Sequence, residues 1–193
     1  MIITDPRAIP TSDGPMIVSK GGGLDLESRL IRWRTGSWCE HSMIFLNQGQ
    51  CIWEGPPYFY GPGKMEGYMV PNVCLKFYQL GDMNPAALKI LQDYVNARIA
   101  APWWAKAYDW IGIFGEAIGF PKIHTPGLEY CSVDAIHALE AMAPALGGDS
   151  QNMISLIPAE ENPGFLDNFM AQHPSIVKLY GVYQYGAPAV SPM

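Results

Sequence analysis

The chain has no excess of basic residues. Its 12 Lys and Arg stand against 18 Asp and Glu, a formal net charge of −6 with a pI of about 5.1. That balance gives no electrostatic footprint for nucleic acid and makes polyanions poor partners. A long apolar run is also missing. The most apolar stretch, residues 99–120, is interrupted by Pro102, Lys106, Asp109 and Glu116, so no integral membrane segment is expected. Residues 1–7 hold no basic region followed by an apolar run, so no secretory signal is expected either, and the compartment reads as cytoplasmic or unassigned. The cysteines Cys39, Cys51, Cys74 and Cys131 show no paired short spacings, which suits a reducing compartment rather than a disulfide framework. Gly21-Gly22-Gly23 follows a strand-like run without the Gly-Lys-Ser/Thr ending of a phosphate loop, and reads as a flexible turn. No repeat is found, and no cofactor or metal is expected.

What is present fits one domain over residues 1–193, large enough to bury roughly 70% of its unfolded surface. Residues 1–14, with Pro6, Pro10 and Ser12-Asp13-Gly14, read as an extended N-terminal arm, and residues 187–193 as a loose tail. Between them the patterning predicts a short strand at Met16 to Val18 and a helix from Leu24 to Trp33, ended by Gly36. Arg29, Arg32 and Arg34 read as a solvated face. A proline- and glycine-rich loop over 55–67 and strand-rich sequence over 68–80 follow. A helix opens at Asn84-Pro85, and an aromatic-rich segment over 102–120 reads as core. Another helix carries Cys131 in its first turn. Residues 153–157 read as a short buried strand, 163–171 as a small helix and 175–185 as a strand.

Two apolar runs, Trp38 to Leu46 and Cys51 to Glu54, flank the polar turn Asn47-Gln48-Gly49-Gln50 and predict a β-hairpin. A two-residue loop at Gln48-Gly49 sets Met43 opposite Glu54, with His41 diagonal to it on the same face, whereas a three-residue loop separates them.

The chemistry starts from Cys131. A thiol in the first turn of a helix faces unpaired backbone N–H groups and the positive end of the helix dipole, which favour thiolate. A cysteine nucleophile needs a base, and the base needs an orienting group. His137 is six residues further along the same helix and points away from the thiol; His124 lies in the lead-in loop and His173 stands before Pro174. His41 has the best setting, beside Glu54. The plainer readings are a structural cysteine and an ordinary polar strand residue.

Residues 23–44, Gly-Leu-Asp-Leu-Glu-Ser-Arg-Leu-Ile-Arg-Trp-Arg-Thr-Gly-Ser-Trp-Cys-Glu-His-Ser-Met-Ile, resemble the segment that precedes and includes the catalytic histidine of YiiX-like proteins. These are the circularly permuted branch of the NlpC-type papain-fold hydrolases. Ile52-Trp53-Glu54 resembles their second strand, and Tyr108 to Gly112 also matches. Glu129-Tyr130-Cys131-Ser132-Val133 is similar to their Tyr-Cys-Ser-Glu-Leu box. Histidine before cysteine is the permuted order, and the matching segments span about residues 15 to 145.

The resemblance implies an α+β fold of circularly permuted papain-like type, an antiparallel sheet or half-barrel packed against helices. It implies Cys131 as nucleophile, His41 as base and acid, Glu54 as orienting residue, and Tyr130 and Trp38 at the substrate pocket. Two departures stand out: Cys39-Glu40 replaces Tyr-Ser or Trp-Ser before the histidine, and Val133-Asp134 replaces Glu-Leu. The expected activity is a cysteine peptidase or amidase acting on a small peptide or muropeptide through an acyl-enzyme. The alternatives are a lipid-directed acyl hydrolase or acyltransferase, as in the lecithin retinol acyltransferase relatives, and a non-catalytic binding or structural protein of phage type. The oligomeric state is left open.

Overall fold

The computed structural model describes residues 1–10, 16–45, 51–54, 61–80, 84–102, 131–146, 148–157, 162–175 and 177–186. The aromatic segment from 103 onward, Tyr130, the hairpin turn and the 187–193 tail lie outside them. The described fold is α+β.

Seven strands form one sheet: β1 (Ile2–Ile3), β2 (Met16–Gly21), β3 (Cys39–Phe45), β4 (Cys51–Glu54), β5 (Gly61–Lys64), β6 (Cys74–Leu80) and β7 (Val177–Gln184). Their order is β1-β7-β6-β2-β3-β4-β5, antiparallel throughout except for the parallel pair β1 and β7. Five helices accompany it among the described residues: α1 (Leu26–Thr35), α2 (Pro85–Ala100), α3 (Cys131–Leu146), α4 (Gly148–Ile154) and α5 (Pro163–Gln172). None of the described helices is long and apolar enough to cross a membrane.

Period-2 alternation gives the sheet two buried faces. Ile17, Ile44 and Tyr78 point to a first core filled by Leu91 and Val95 of α2, by Ile136, Leu139 and Met142 of α3, and by Leu166 and Met170 of α5. Met16, Val18, Met43, Phe45, Leu75 and Phe77 point to a second core closed by Ile3, Ile9 and Met65. Phe45 and Phe77 meet there edge to face, with ring centroids 5.8 Å apart. The N-terminal arm is thus docked on the sheet, with β1 on β7 and Ile3 and Ile9 buried.

Side-chain caps open three helices. Asp25 accepts from the Ser28 N–H, Asn84 from Ala87 and Asn162 from Phe165. Gly36 closes α1 in the left-handed region at φ 63°. Pro85 and Pro163 occupy first-turn positions where a missing N–H costs nothing.

Four expectations change. The loop read over 55–67 carries a strand, β5, paired with β4, since the edge of a sheet tolerates Pro62. Residues 153–157 are not a strand: α4 runs to Ile154 and a turn brings Ile157 into the first core, because two apolar residues three apart serve a helical turn as well as a strand. The glycine run is not a slack turn. Gly21 ends β2 under the Trp38 ring, Gly22 has φ 95° against the Asn72 carbonyl, and a Cβ on Gly23 would overlap Glu40 and Ser28. Arg32 is not on a solvated face; its guanidinium binds the Glu40 carboxylate and donates to the Gly23 carbonyl at 2.7 Å.

Candidate functional site

Cys131 is the first described residue of α3. It belongs to the first core and retains 4% of its surface. Asp134, one of the two departures noted above, is buried one turn on. It accepts from the Tyr94 hydroxyl at 2.8 Å and pairs with Arg98 at 3.1 Å, so it fastens α3 to α2. Across from α3 on the sheet, Cys39 is fully buried, and its thiol donates to the His41 carbonyl at 3.4 Å. Burial, then the neighbouring charges of Asp167 and Cys131, push the Cys39 thiol far above its ordinary value. That holds it as a neutral, inert thiol beside the candidate nucleophile.

His41 is half-buried near the start of β3. Lys20 pairs with His41, but Gly21 pairs with Cys39, so Glu40 is the extra residue of a bulge. By register, His41 falls in the row of Lys20, Val18 and Met43, which faces the second core, while Cys131 lies in the first. The β3–β4 ladder pairs Ile44 with Trp53 and Phe45 with Ile52. Glu54 is the last residue of β4, one position past the pair Ile44 and Trp53.

Glu40 is turned into the protein rather than toward the imidazole. Its carboxylate is 2% exposed, accepts from the Lys20 ammonium at 2.9 Å and the Gly23 N–H at 2.7 Å, and pairs with Arg32. The second departure before the histidine therefore ties β3, β2 and α1 together. His173 is occupied elsewhere: its Nδ1–H donates to the Phe169 carbonyl at 2.7 Å, with the ring on Phe169.

A polar cluster that the sequence did not single out adjoins Cys39. Asp167 of α5, 1% exposed, accepts from Trp38 Nε1 at 2.7 Å, Lys76 Nζ at 2.9 Å and the Tyr78 hydroxyl at 2.8 Å. Lys76 also lies 4.2 Å over the Trp38 ring. Burial first, and then Asp167, hold the Tyr78 phenol well above its ordinary value. The only sequence signal for this cluster is an aspartate between Leu166 and Phe169 on the apolar side of a short helix. Trp38, expected at the substrate pocket, thus has its indole N–H committed to Asp167.

The hydroxyls of Ser42 and Ser132 are buried with no hydrogen-bond partner among the described residues, and that of Ser19 lies beside the Cys39 thiol. Ser19 and Ser42 are cross-strand partners in the row facing the first core, and Ser132 follows Cys131. Buried donors of this kind are able to orient a water or a developing oxyanion near the thiol. No group of three or more His, Cys, Asp or Glu among the described residues has the arrangement to hold a metal ion.

No protein-family model matches this chain, and no curated protein matches it.

Proposed function

We propose that the protein is a cysteine-dependent hydrolase of amide bonds, with Cys131 as nucleophile, His41 as general base and acid, and Glu54 as the residue that orients His41. The observation that carries the reading is that α3, which bears Cys131, packs on β3, the strand that bears His41. The chain order supports it as well: the histidine-bearing hairpin precedes the cysteine helix, as in the permuted papain-like fold that we assign here.

His41 lies in the register row of the second core and Cys131 in the first, so this reading requires the His41 side chain to swing past Glu40 to the α3 side of β3. The thiolate attacks the substrate carbonyl and forms a thioester as the C–N bond breaks. His41 delivers the thiol proton to the leaving amine. The Cys131 N–H and a neighbouring serine hydroxyl hold the oxyanion. Water, deprotonated by His41, then releases the acid and restores the thiol.

The test is labelling by an electrophilic thiol probe, mapped by peptide and followed across the neutral pH range. Cys131 is expected to react ahead of Cys39 and Cys74, and His41→Ala to slow its labelling and move its pH profile. Equal labelling of the cysteines, or a profile indifferent to His41, would remove the catalytic pair. Muropeptide turnover without acyl-ester turnover selects the peptidase over the lipid-directed reading.

A further inference from the structure

A cleft of about 580 Å³ opens on the side of the second core, walled by Lys20, Leu24, Asp25, Lys64, Tyr68 and Val70 among others. Lys20 is the cross-strand neighbour of His41, so the cleft begins one residue from the candidate base. Its walls divide sharply by chemistry. Leu24 and Val70, which both line the cleft, leave 70% and 41% of their surfaces exposed, an apolar lip that nothing among the described residues covers.

The charged groups are not equivalent. Lys20 is tied to Glu40 at 2.9 Å. Both Asp25 oxygens accept from Ser28, from its N–H and its hydroxyl, each at 2.8 Å. Lys64, at the end of the edge strand β5, has no ion-pair partner among the described residues, and Tyr68, half-buried against the second core, also lines the cleft.

One unpaired ammonium with a hydroxyl donor next to an apolar lip is the chemistry that recognises a monoanion on an apolar body. A phosphate dianion fits less well. The Asp25 carboxylate on the wall opposes the second charge, and the Gly23 N–H, which a phosphate loop would offer, already donates to Glu40.

We infer that this cleft binds the free carboxylate end of an amphipathic ligand, with Lys64 as the anchoring charge and Leu24 and Val70 holding the apolar portion. A peptide C-terminus and a fatty acyl carboxylate share that chemistry. As the substrate-anchoring subsite of the hydrolase, the cleft rests on the reading above; as a carboxylate site it does not.

The experiment uses the full chain with Cys131→Ala, so that binding is measured without turnover. Titration calorimetry compares N-acetyl-Ala-Leu with its C-terminal amide, and decanoate with decanol. At least one acid is expected to bind about tenfold more tightly than its neutral counterpart, the scale of one charge-assisted hydrogen bond. Lys64→Met erases that preference and Lys64→Arg keeps it. The acid that binds more tightly identifies the source. Equal binding of acid and neutral forms, no binding of any probe, or a preference that survives Lys64→Met overturns the inference. Lys64 is exposed, so its variants keep the fold, which circular dichroism checks. Carboxylate binding that persists where Cys131 labelling shows no dependence on His41 retires the hydrolase and leaves the site standing.

Discussion

Buried carboxylates tie the two faces of this sheet to what covers them. Asp167 holds an indole, a phenol and an ammonium at 2.7 to 2.9 Å. Removing one partner of such a group leaves the others desolvated and unmatched, which costs more than the net value of the contacts. Lys76 keeps 26% of its side chain exposed and recovers some hydration, so the effect falls at the low end of the range for broken buried pairs. Asp167→Ala is expected to lower stability by about 3 kcal/mol in urea denaturation. Asp167→Asn, which still accepts from Trp38 and Tyr78, is expected to lose less. Little of this was legible from residue types. An aspartate in Phe-Leu-Asp-Asn-Phe reads as a helix-surface residue until the strand carrying Lys76 and Tyr78 is known to lie beneath it, and those residues are 91 and 89 positions away. Glu40 was singled out only as a neighbour of His41. Its partners Lys20 and Arg32 became visible once the bulge turned it toward α1.

At the scale of elements, the Asn84 opening and the Gly36 stop were readable because they act over three or four residues, whereas the contacts that require Gly21 to Gly23 come from residues far along the chain and were not. Asn84 shows where that locality ends. Its Oδ1 accepts from the Ala87 N–H at 2.9 Å and its Nδ2 donates to the Ala145 carbonyl near the end of α3 at 2.7 Å. The cap was evident from Asn-Pro before an apolar helix; the second bond was not, since it joins positions 61 apart. Asn84→Ala is expected to cost about 2 kcal/mol, the sum of a cap and a satisfied helix-end carbonyl. Asn84→Asp keeps the cap and loses the donor, so chemical denaturation of the two variants separates the contributions. Of the hairpin registers the sequence left open, the pairs Ile44 with Trp53 and Phe45 with Ile52 agree with a two-residue loop at Gln48-Gly49. The bulge at Glu40 was not legible, since no glycine or proline marks it. It decides which face Cys39 occupies, while His41 keeps the row of Met43.

For the molecule as a whole, the pKa pattern sets an alkaline limit. Cys39 and Tyr78 have ordinary values of 9.0 and 10.0, and both are raised in the folded state, chiefly by burial. A raised folded value means that the native state keeps its proton where the unfolded chain has lost it. The stability these groups contribute is therefore complete below pH 9.0 and falls as pH rises toward the folded values. Urea denaturation in an alkaline series is expected to show this decline. Cys39→Ala is expected to be less stable at neutral pH, through the cavity it leaves, yet to decline less steeply above pH 9.0. An unchanged slope would mean that the thiol takes no part.

The strand order also bears on the molecule's synthesis. Among the described strands β7 stands between β1 and β6, so β1 pairs with the strand furthest from it along the chain. Until β7 is made, residues 2 and 3 and the Ile3 side chain that packs over Gly181 lack that partner, and one edge of β6 keeps its backbone groups unpaired by β7. Folding of this sheet is therefore completed after β7 emerges, and a nascent chain halted before Val177 exposes a strand edge suited to chaperone capture.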